Sequence, residues 1–146
     1  LGREGRKRAF KRLVSEGPPP GLLAYRAGRE DEGAVGWCAI APREATPRLA
    51  SSRVAKPIDD QPAWAITCFY IDRAHRRQGM MAALVRAATR YARDQRARLV
   101  EACPVEELGS DAWGSAFVGV ASCFRAEGFK EGARRTPNRP LMRKVL

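Results

Sequence analysis

The sequence predicts a mixed α/β (α+β) fold whose mostly antiparallel sheet contains one central pair of parallel strands. Two observations indicate this fold. A buried strand, a long amphipathic helix and a second buried strand follow one another within about 40 residues, and that order produces a parallel crossover. On either side of this unit, pairs of strand patterns separated by turn residues predict antiparallel hairpins.

The chain is long enough for one domain spanning residues 1–146. It begins at Leu1 and not at Met, so we expect the first element of the fold to be missing. No apolar run approaches the roughly 18 residues of a membrane span. The cysteines lie in apolar stretches without C-x-x-C spacing, which indicates free thiols and a cytoplasmic protein; they are Cys38, Cys68, Cys103 and Cys123.

The N-terminal third predicts one helix and one hairpin. The basic opening segment carries apolar residues at helical spacing and ends at Gly17, which three prolines follow. Residues 21–28 and 33–42 have strand patterns with a turn between them. A loop or short helix over residues 43–52 and a polar connection follow.

The central third contains the crossover. Residues 63–71 are rich in β-branched and aromatic residues and predict a strand buried on both faces. The helix that follows Gly79 places apolar side chains on one face and Arg86, Arg90 and Arg93 on the other. Residues 98–105 predict the second strand.

The C-terminal third predicts a short helix over residues 117–127, ended by Gly128 with Phe129 folding back. Residues 129–135 and 141–146 then form a closing hairpin around the turn TPNRP.

The start of the long helix predicts an anion site. Gly79 has no Cβ, so the backbone there can curl tightly and present its N–H groups to a ligand. The first amides of a helix are unpaired and the helix dipole adds positive potential, so a diphosphate fits beside Arg76, Arg77 and Gln78. The usual nucleotide motifs G-x-x-x-x-G-K-[ST] and G-x-G-x-x-G are absent from the sequence.

The stretch CFYIDRAHRRQGMMAALVRAA resembles the acetyl-coenzyme A site of the GNAT superfamily of N-acyltransferases. The family signature [RQ]-x-x-G-x-[GA] corresponds to Arg76-x-x-Gly79-x-Met81, with Met81 in place of the usual small residue. The resemblance extends over roughly residues 20–146, because the order of strands and helices, the EGF sequence and the terminal hairpin also agree. It implies helices on both faces of the sheet.

The resemblance also implies the residues that hold acetyl-coenzyme A. Main-chain amides from Gln78 to Ala82 should bind its diphosphate, and the edge of the strand before them should pair with the pantetheine. The implied cofactor-binding set is Phe69, Tyr70, Ile71, Arg76, Arg77, Gln78, Gly79, Met80, Met81, Ala82 and Phe124.

Acid and base candidates follow from the same comparison. Phe124 stands where many family members have a tyrosine that protonates the leaving thiolate, and phenylalanine has no proton to give. Ser122 is the candidate acid, with Cys123 and Tyr70 as alternatives. Glu101, a charged residue in an apolar strand, is the candidate base; the alternative is a carboxylate that pairs with an arginine.

Other polar and aromatic residues have weaker functional interpretations. The loop carboxylates Asp59, Asp60, Glu106 and Glu107 are either solvated or attract a cationic acceptor. His75 lies at the diphosphate end and is expected to be a solvated loop residue. Trp113 is the tryptophan best placed to line an acceptor pocket. No metal-ligand spacing occurs, so we expect no metal.

The expected function is transfer of an acetyl group from acetyl-coenzyme A to a primary amine, by direct attack in a ternary complex. The loops over residues 42–62 and 104–118 should shape the acceptor pocket, but carry no motif that names the small-molecule or protein acceptor. Two alternatives are a non-catalytic acyl-coenzyme A sensor and a basic nucleic-acid-binding module, the latter suggested by the formal charge of +11. Since nucleic-acid motifs and interleaved exposed aromatics are missing, we do not expect a nucleic-acid partner. A homodimer through a sheet edge is possible by resemblance, and no membrane partner is expected.

Overall fold

The computed structural model describes residues 2–109 and 116–146. Its sheet has six strands in the order β1-β2-β3-β4-β6-β5. All neighbours are antiparallel except β3 and β4, which run parallel. The strands are β1 (Gly21–Ala24), β2 (Gly36–Pro42), β3 (Trp64–Ile71), β4 (Leu99–Ala102), β5 (Lys130–Arg134) and β6 (Pro140–Val145). The predicted mixed sheet with one parallel pair is confirmed.

Helices cover both faces of the sheet: α1 (Arg3–Glu16), α2 (Met80–Asp94) and α3 (Ala121–Ala126). The buried face of α2 includes Leu84, Val85 and Ala88 and packs in the core with Cys38 and Ile40 of β2. Neighbouring residues of a strand point to opposite faces, so Trp37 faces away from α2. There it meets Phe10 of α1 edge-on, with ring centroids 5.9 Å apart. No residue of α1 is buried, so this helix lies loosely on its face. Among the described residues, no helix is both long and apolar enough to cross a bilayer.

The two parallel strands pair over only three residues each. Trp64, Ala65 and Ile66 of β3 lie opposite Val100, Glu101 and Ala102 of β4. The prediction of a strand through residue 105 was wrong at this end, because Pro104 has no N–H to donate to a neighbouring strand. Beyond Ile66, the edge of β3 that faces β4 therefore continues without a β4 partner.

A β-bulge lies at the point where β3 and β4 separate. Ile66 pairs with Ile40 and Cys68 with Ala39, so Thr67 is an extra residue in β3. After the bulge, Phe69 faces the core and packs edge-on against Phe124, with centroids 6.1 Å apart. Tyr70 is 57% exposed, so the prediction of a strand buried on both faces is wrong for the last residues of β3.

The segment before α3 is broken by a glycine. The predicted helix over residues 117–127 is in fact a 3₁₀ turn at Ala116–Val118 followed by α3, because Gly119 between them has φ +87°. The predicted end of α3 is confirmed: the Phe129 amide donates to the Phe124 carbonyl (3.0 Å) and Gly128 has φ +85°.

Candidate active site

The loop before α2 presents a concave surface of backbone amides. Gly79 caps the helix with φ +80°, and Arg77 has φ +59°, which is uncommon for a residue with a side chain. The first intrahelical bond runs from the Ala83 amide to the Gly79 carbonyl (3.1 Å), so helix geometry leaves the amides of the first turn without a helical acceptor. A Cβ at Gly79 would meet no atom within 4 Å, so there is open space beside this residue.

Side chains fasten this loop to the end of β3. Arg76 donates from Nε to the Ile71 carbonyl (2.9 Å), and Gln78 donates from Nε2 to the Ala74 carbonyl (3.3 Å). The Nδ1 of His75 lies 2.9 Å from the Asp72 carboxylate, and this hydrogen bond lowers the pKa of Asp72. The loop therefore has a defined shape before any ligand arrives.

A cavity of about 430 Å³ opens between this loop, the end of β3 and the segment before α3. We call it the helix-end cavity. Nine of the eleven residues predicted to bind the cofactor line it: Phe69, Tyr70, Ile71, Arg76, Arg77, Gly79, Met80, Met81 and Ala82. Leu108, Phe117, Val120 and Cys123 complete the apolar wall.

The other two predicted cofactor residues do not line this cavity. Gln78 is exposed and is turned back to Ala74. Phe124 is fully buried between Phe69 and Phe129, with its centroid 5.1 Å from that of Phe129. Phe124 thus packs in the core behind the cavity wall.

Of the three candidate acids, Cys123 and Tyr70 line the helix-end cavity. Ser122 is exposed and does not line it, whereas Cys123 is half-buried and does. Burial raises the pKa of the Cys123 thiol, so the thiol is protonated near neutral pH. Tyr70 lies at the exposed rim.

A second cavity, of about 330 Å³, lies on the face of the sheet opposite α2. We call it the arginine cavity, because Arg43, Arg48 and Arg139 line it together with Glu101. One side of this cavity is formed by the loop that follows β2, and the other side by β3 and the end of β4. Thr46, Ser52 and Thr67 add polar groups to the wall.

Glu101 is buried, with 2% exposure, and faces two guanidinium groups. Arg43 donates from Nη1 to Oε2 at 2.6 Å. Arg143 Nε lies 3.0 Å from Oε1 but is not aligned for a hydrogen bond, so both atoms lack one in the described structure. Arg143 itself is held by two hydrogen bonds to Asp59, at 2.8 and 3.1 Å. Glu101 as base stays a prediction, and so does Ser122 as acid.

The two cavities meet along β3. Thr67 lines the arginine cavity, and Phe69, two residues later, lines the helix-end cavity. Phe117 and Val118 likewise line one cavity each. The two cavities therefore have neighbouring linings along β3 and along the segment before α3.

The remaining candidates are placed as follows. Glu106 accepts hydrogen bonds from Arg125 and Arg134, which lower the pKa of Glu106 to about 2. Its carboxylate is therefore already ion-paired at the surface. Trp113 lies outside the described residues. Within the described residues, no group of three or more His, Cys, Asp and Glu side chains is placed to share a metal ion.

Sequence reasoning missed the arginines of the second cavity. Arg43, Arg48 and Arg139 lie in loops without a motif, and the chain contains so many arginines that none stood out. The one available signal was Pro104, since a proline in a predicted central strand indicates that the strand ends and a gap opens.

The sequence model of a protein family, the "Acetyltransferase (GNAT) family", matches residues 3–114 of the chain. The chain therefore belongs to the GNAT acetyltransferase family. No curated protein matches the sequence significantly.

Solved structures with the same fold include several acetyltransferases. A ribosomal-protein-alanine N-acetyltransferase from Brucella melitensis has a TM-score of 0.58 and 19% identity, over 100% of this chain and 80% of that one. A GCN5-related N-acetyltransferase from Kribbella flavida has a TM-score of 0.61 and 16% identity, over 100% and 78%. The NatC complex bound to Gag peptide and CoA has a TM-score of 0.62 and 12% identity, over 100% and 81%. At these identities the likeness shows the fold.

Proposed function

We propose that this chain transfers an acetyl group from acetyl-coenzyme A to a primary amine by direct attack in a ternary complex. The observation that carries the proposal is the helix-end cavity: an amide-lined loop with φ +80° at Gly79 opens onto a strand edge that has no partner strand. Family membership supports acetyl transfer, and the cavity supports the coenzyme as donor.

The residues present fit coenzyme A. The first-turn amides of α2, with Arg76 and Arg77 beside them, suit a diphosphate. The unpaired edge of β3 offers backbone groups to the amides of pantetheine, in the manner of an added strand. When bound, the coenzyme supplies the acetyl group as a reactive thioester. The Phe69 amide is our candidate for polarising its carbonyl.

Two side chains are proposed to move protons. Cys123 lines the cavity and keeps its proton near neutral pH, so we favour it over the exposed Ser122 as the donor to the leaving thiolate. Glu101 remains the candidate base, because it is a buried carboxylate that lines the neighbouring cavity, and its Oε1 has only an unaligned contact with Arg143. Accepting a proton there requires Glu101 to weaken its contact with Arg143.

The proposal includes a cytoplasmic location for a single-domain enzyme with an amine acceptor. The four cysteines, all within the described residues, are free, which agrees with a reducing compartment. A homodimer stays a prediction.

The coenzyme site is tested by calorimetric titration with acetyl-coenzyme A of the parent and of Gly79→Glu. We expect one-to-one binding by the parent and at least roughly 10-fold weaker binding by the variant, because a carboxylate would enter the space meant for a diphosphate. Gly28→Glu is the matched control, since Gly28 also has positive φ (+73°) and open space around it. It should bind like the parent.

A parent that does not bind acetyl-coenzyme A would overturn the proposal. Equal losses in both glycine variants would show that backbone strain, and not the site, weakens binding. If the parent binds the coenzyme but releases no thiol with any amine, the sensor alternative replaces the enzyme.

A further inference from the structure

The arginine cavity carries more positive charge than its own carboxylates can balance. Of its lining residues, Arg43 is paired with Glu101 at 2.6 Å. Arg48 and Arg139 make no ion pair with a described carboxylate, although both line the cavity. Asp59, the other carboxylate of this face, is taken up by Arg143 at 2.8 Å. Two guanidinium groups are therefore left without a counter-charge in the described structure.

Arg139 is fixed in place without being neutralised. Its Nε and Nη2 both donate to the Cys103 carbonyl, at 3.2 and 2.8 Å, which leaves its other nitrogen available. A guanidinium held by a neutral oxygen keeps its full charge and a defined orientation. Arg48 is exposed and lines the same cavity, so its long side chain is accessible to a bound anion.

A third guanidinium increases the positive potential at this end of the molecule. Arg135 donates to the carbonyls of Val54, Lys56 and Pro57, at 3.3, 2.5 and 3.2 Å. These bonds hold the loop that roofs the cavity, again with neutral oxygens as partners. An amine without an anionic group would meet net repulsion here.

We propose that the arginine cavity takes an acceptor that carries an anionic group, such as a carboxylate or phosphate, in addition to its primary amine. Arg48 and Arg139 bind the anionic group, and the amine points to the unpaired edge of β3 near Thr67, where the two cavities meet. A carboxylate or phosphate matches the two-donor face of a guanidinium. This inference rests on the proposed acetyl transfer and adds the class of acceptor.

The test compares amines that differ only in the anionic group. Thiol release from acetyl-coenzyme A is measured with glycine and glycinamide, phenylalanine and phenylalaninamide, and 2-aminoethyl phosphate and ethanolamine. We expect the anionic member to have the higher kcat/KM, by at least roughly 10-fold, in one or more pairs. Arg48→Gln should raise KM for that anionic amine by about 10-fold, whereas Arg48→Lys should keep part of the effect.

Arg53→Gln is the matched control, because Arg53 is an exposed arginine of the same loop that does not line the cavity. It should leave KM unchanged. Equal or higher kcat/KM for the neutral member of every pair would overturn the proposal, and so would acetyl-coenzyme A binding with no turnover of any anionic amine. An equal rise in KM for Arg48→Gln and Arg53→Gln would also overturn it, since only overall charge would then matter. Failure of the parent to bind acetyl-coenzyme A would instead identify a failure of the proposed function itself.

Discussion

Glu101 has a structural role in addition to the catalytic role that we propose for it. It is an ionisable group with 2% exposure in a central strand, and burial of a lone charge is strongly unfavourable. Arg43 and Arg143 supply the opposite charges, from a loop and from β6. To accept a proton at Oε1, Glu101 has to weaken its 3.0 Å contact with Arg143.

We expect Glu101→Gln to lower the free energy of unfolding by about 3 kcal/mol, because it leaves the buried Arg43 guanidinium without its carboxylate. Urea unfolding measures the change. The double variant Glu101→Gln with Arg43→Gln should recover part of the loss, since it removes the orphaned charge as well.

Glu107→Gln serves as the control, because Glu107 is an exposed carboxylate without a described ion pair. If Glu101→Gln unfolds at the same urea concentration as the parent, the ion pair does not stabilise the fold, and only a catalytic role remains for Glu101.

Cys123 and Ser122 are adjacent in the sequence but differ in burial, so variants of the two test directly which one donates the proton. We expect Cys123→Ala to lower kcat by roughly 10- to 100-fold, because the thiol is the proposed proton donor, and Ser122→Ala to leave kcat unchanged. The measurement is thiol release with an acceptor from the amine panel. Acetyl-coenzyme A affinity, measured by calorimetry, should be the same in both variants.

A loss of kcat in Ser122→Ala alone would restore the serine as donor. A loss of coenzyme affinity in Cys123→Ala, with kcat intact, would indicate that the thiol only shapes the cavity wall.

Among the elements, the 3₁₀ turn at Ala116–Val118 depends on the glycine that follows it. Gly119 has φ +87°, and a Cβ there would lie 2.8 Å from Phe124 and 2.9 Å from Phe69. Both rings belong to the core, where Phe69 also lines the helix-end cavity and Phe124 packs behind it. The turn that separates the two cavities can therefore reach its position only because residue 119 has no side chain.

We expect Gly119→Ala to destabilise the fold by about 1–3 kcal/mol more than Gly33→Ala does, because two aromatic rings must move in addition to the backbone strain. Gly33 has a similar φ (+93°), but a Cβ there would meet no atom within 4 Å. Thermal or urea unfolding of the two variants measures the difference. Equal losses would mean that strain alone matters and that the rings do not limit this position.

At the scale of the whole molecule, the features predicted correctly are those that depend on residues close together in the sequence. The junction of β3 and α2 followed from a β-rich segment, a glycine and a helical repeat, all within residues 63–95. The end of α3 followed in the same way from Gly128. These features depend on neighbours in the sequence, so the sequence alone was enough to find them.

Contacts between distant segments could not be predicted in this way. Arg43 and Glu101 are 58 residues apart in the sequence, and no local pattern selects one arginine among so many as the partner. The early end of β4 and the break at Gly119 also depend on how strands and rings meet in three dimensions. The residues that line the helix-end cavity were therefore largely predictable from the junction of β3 and α2 together with the family resemblance, whereas the arginine cavity became visible only in the structure.

The brief pairing of β3 with β4 is the narrowest connection within the sheet. Three residue pairs connect the half built on β1, β2 and β3 to the half built on β4, β6 and β5. A molecule that lies along the free edge of β3 and also touches the segment before α3 would add noncovalent contacts across this connection. Both halves also share one hydrophobic core, so such a molecule adds to an existing connection, and we expect its binding to raise the free energy of unfolding.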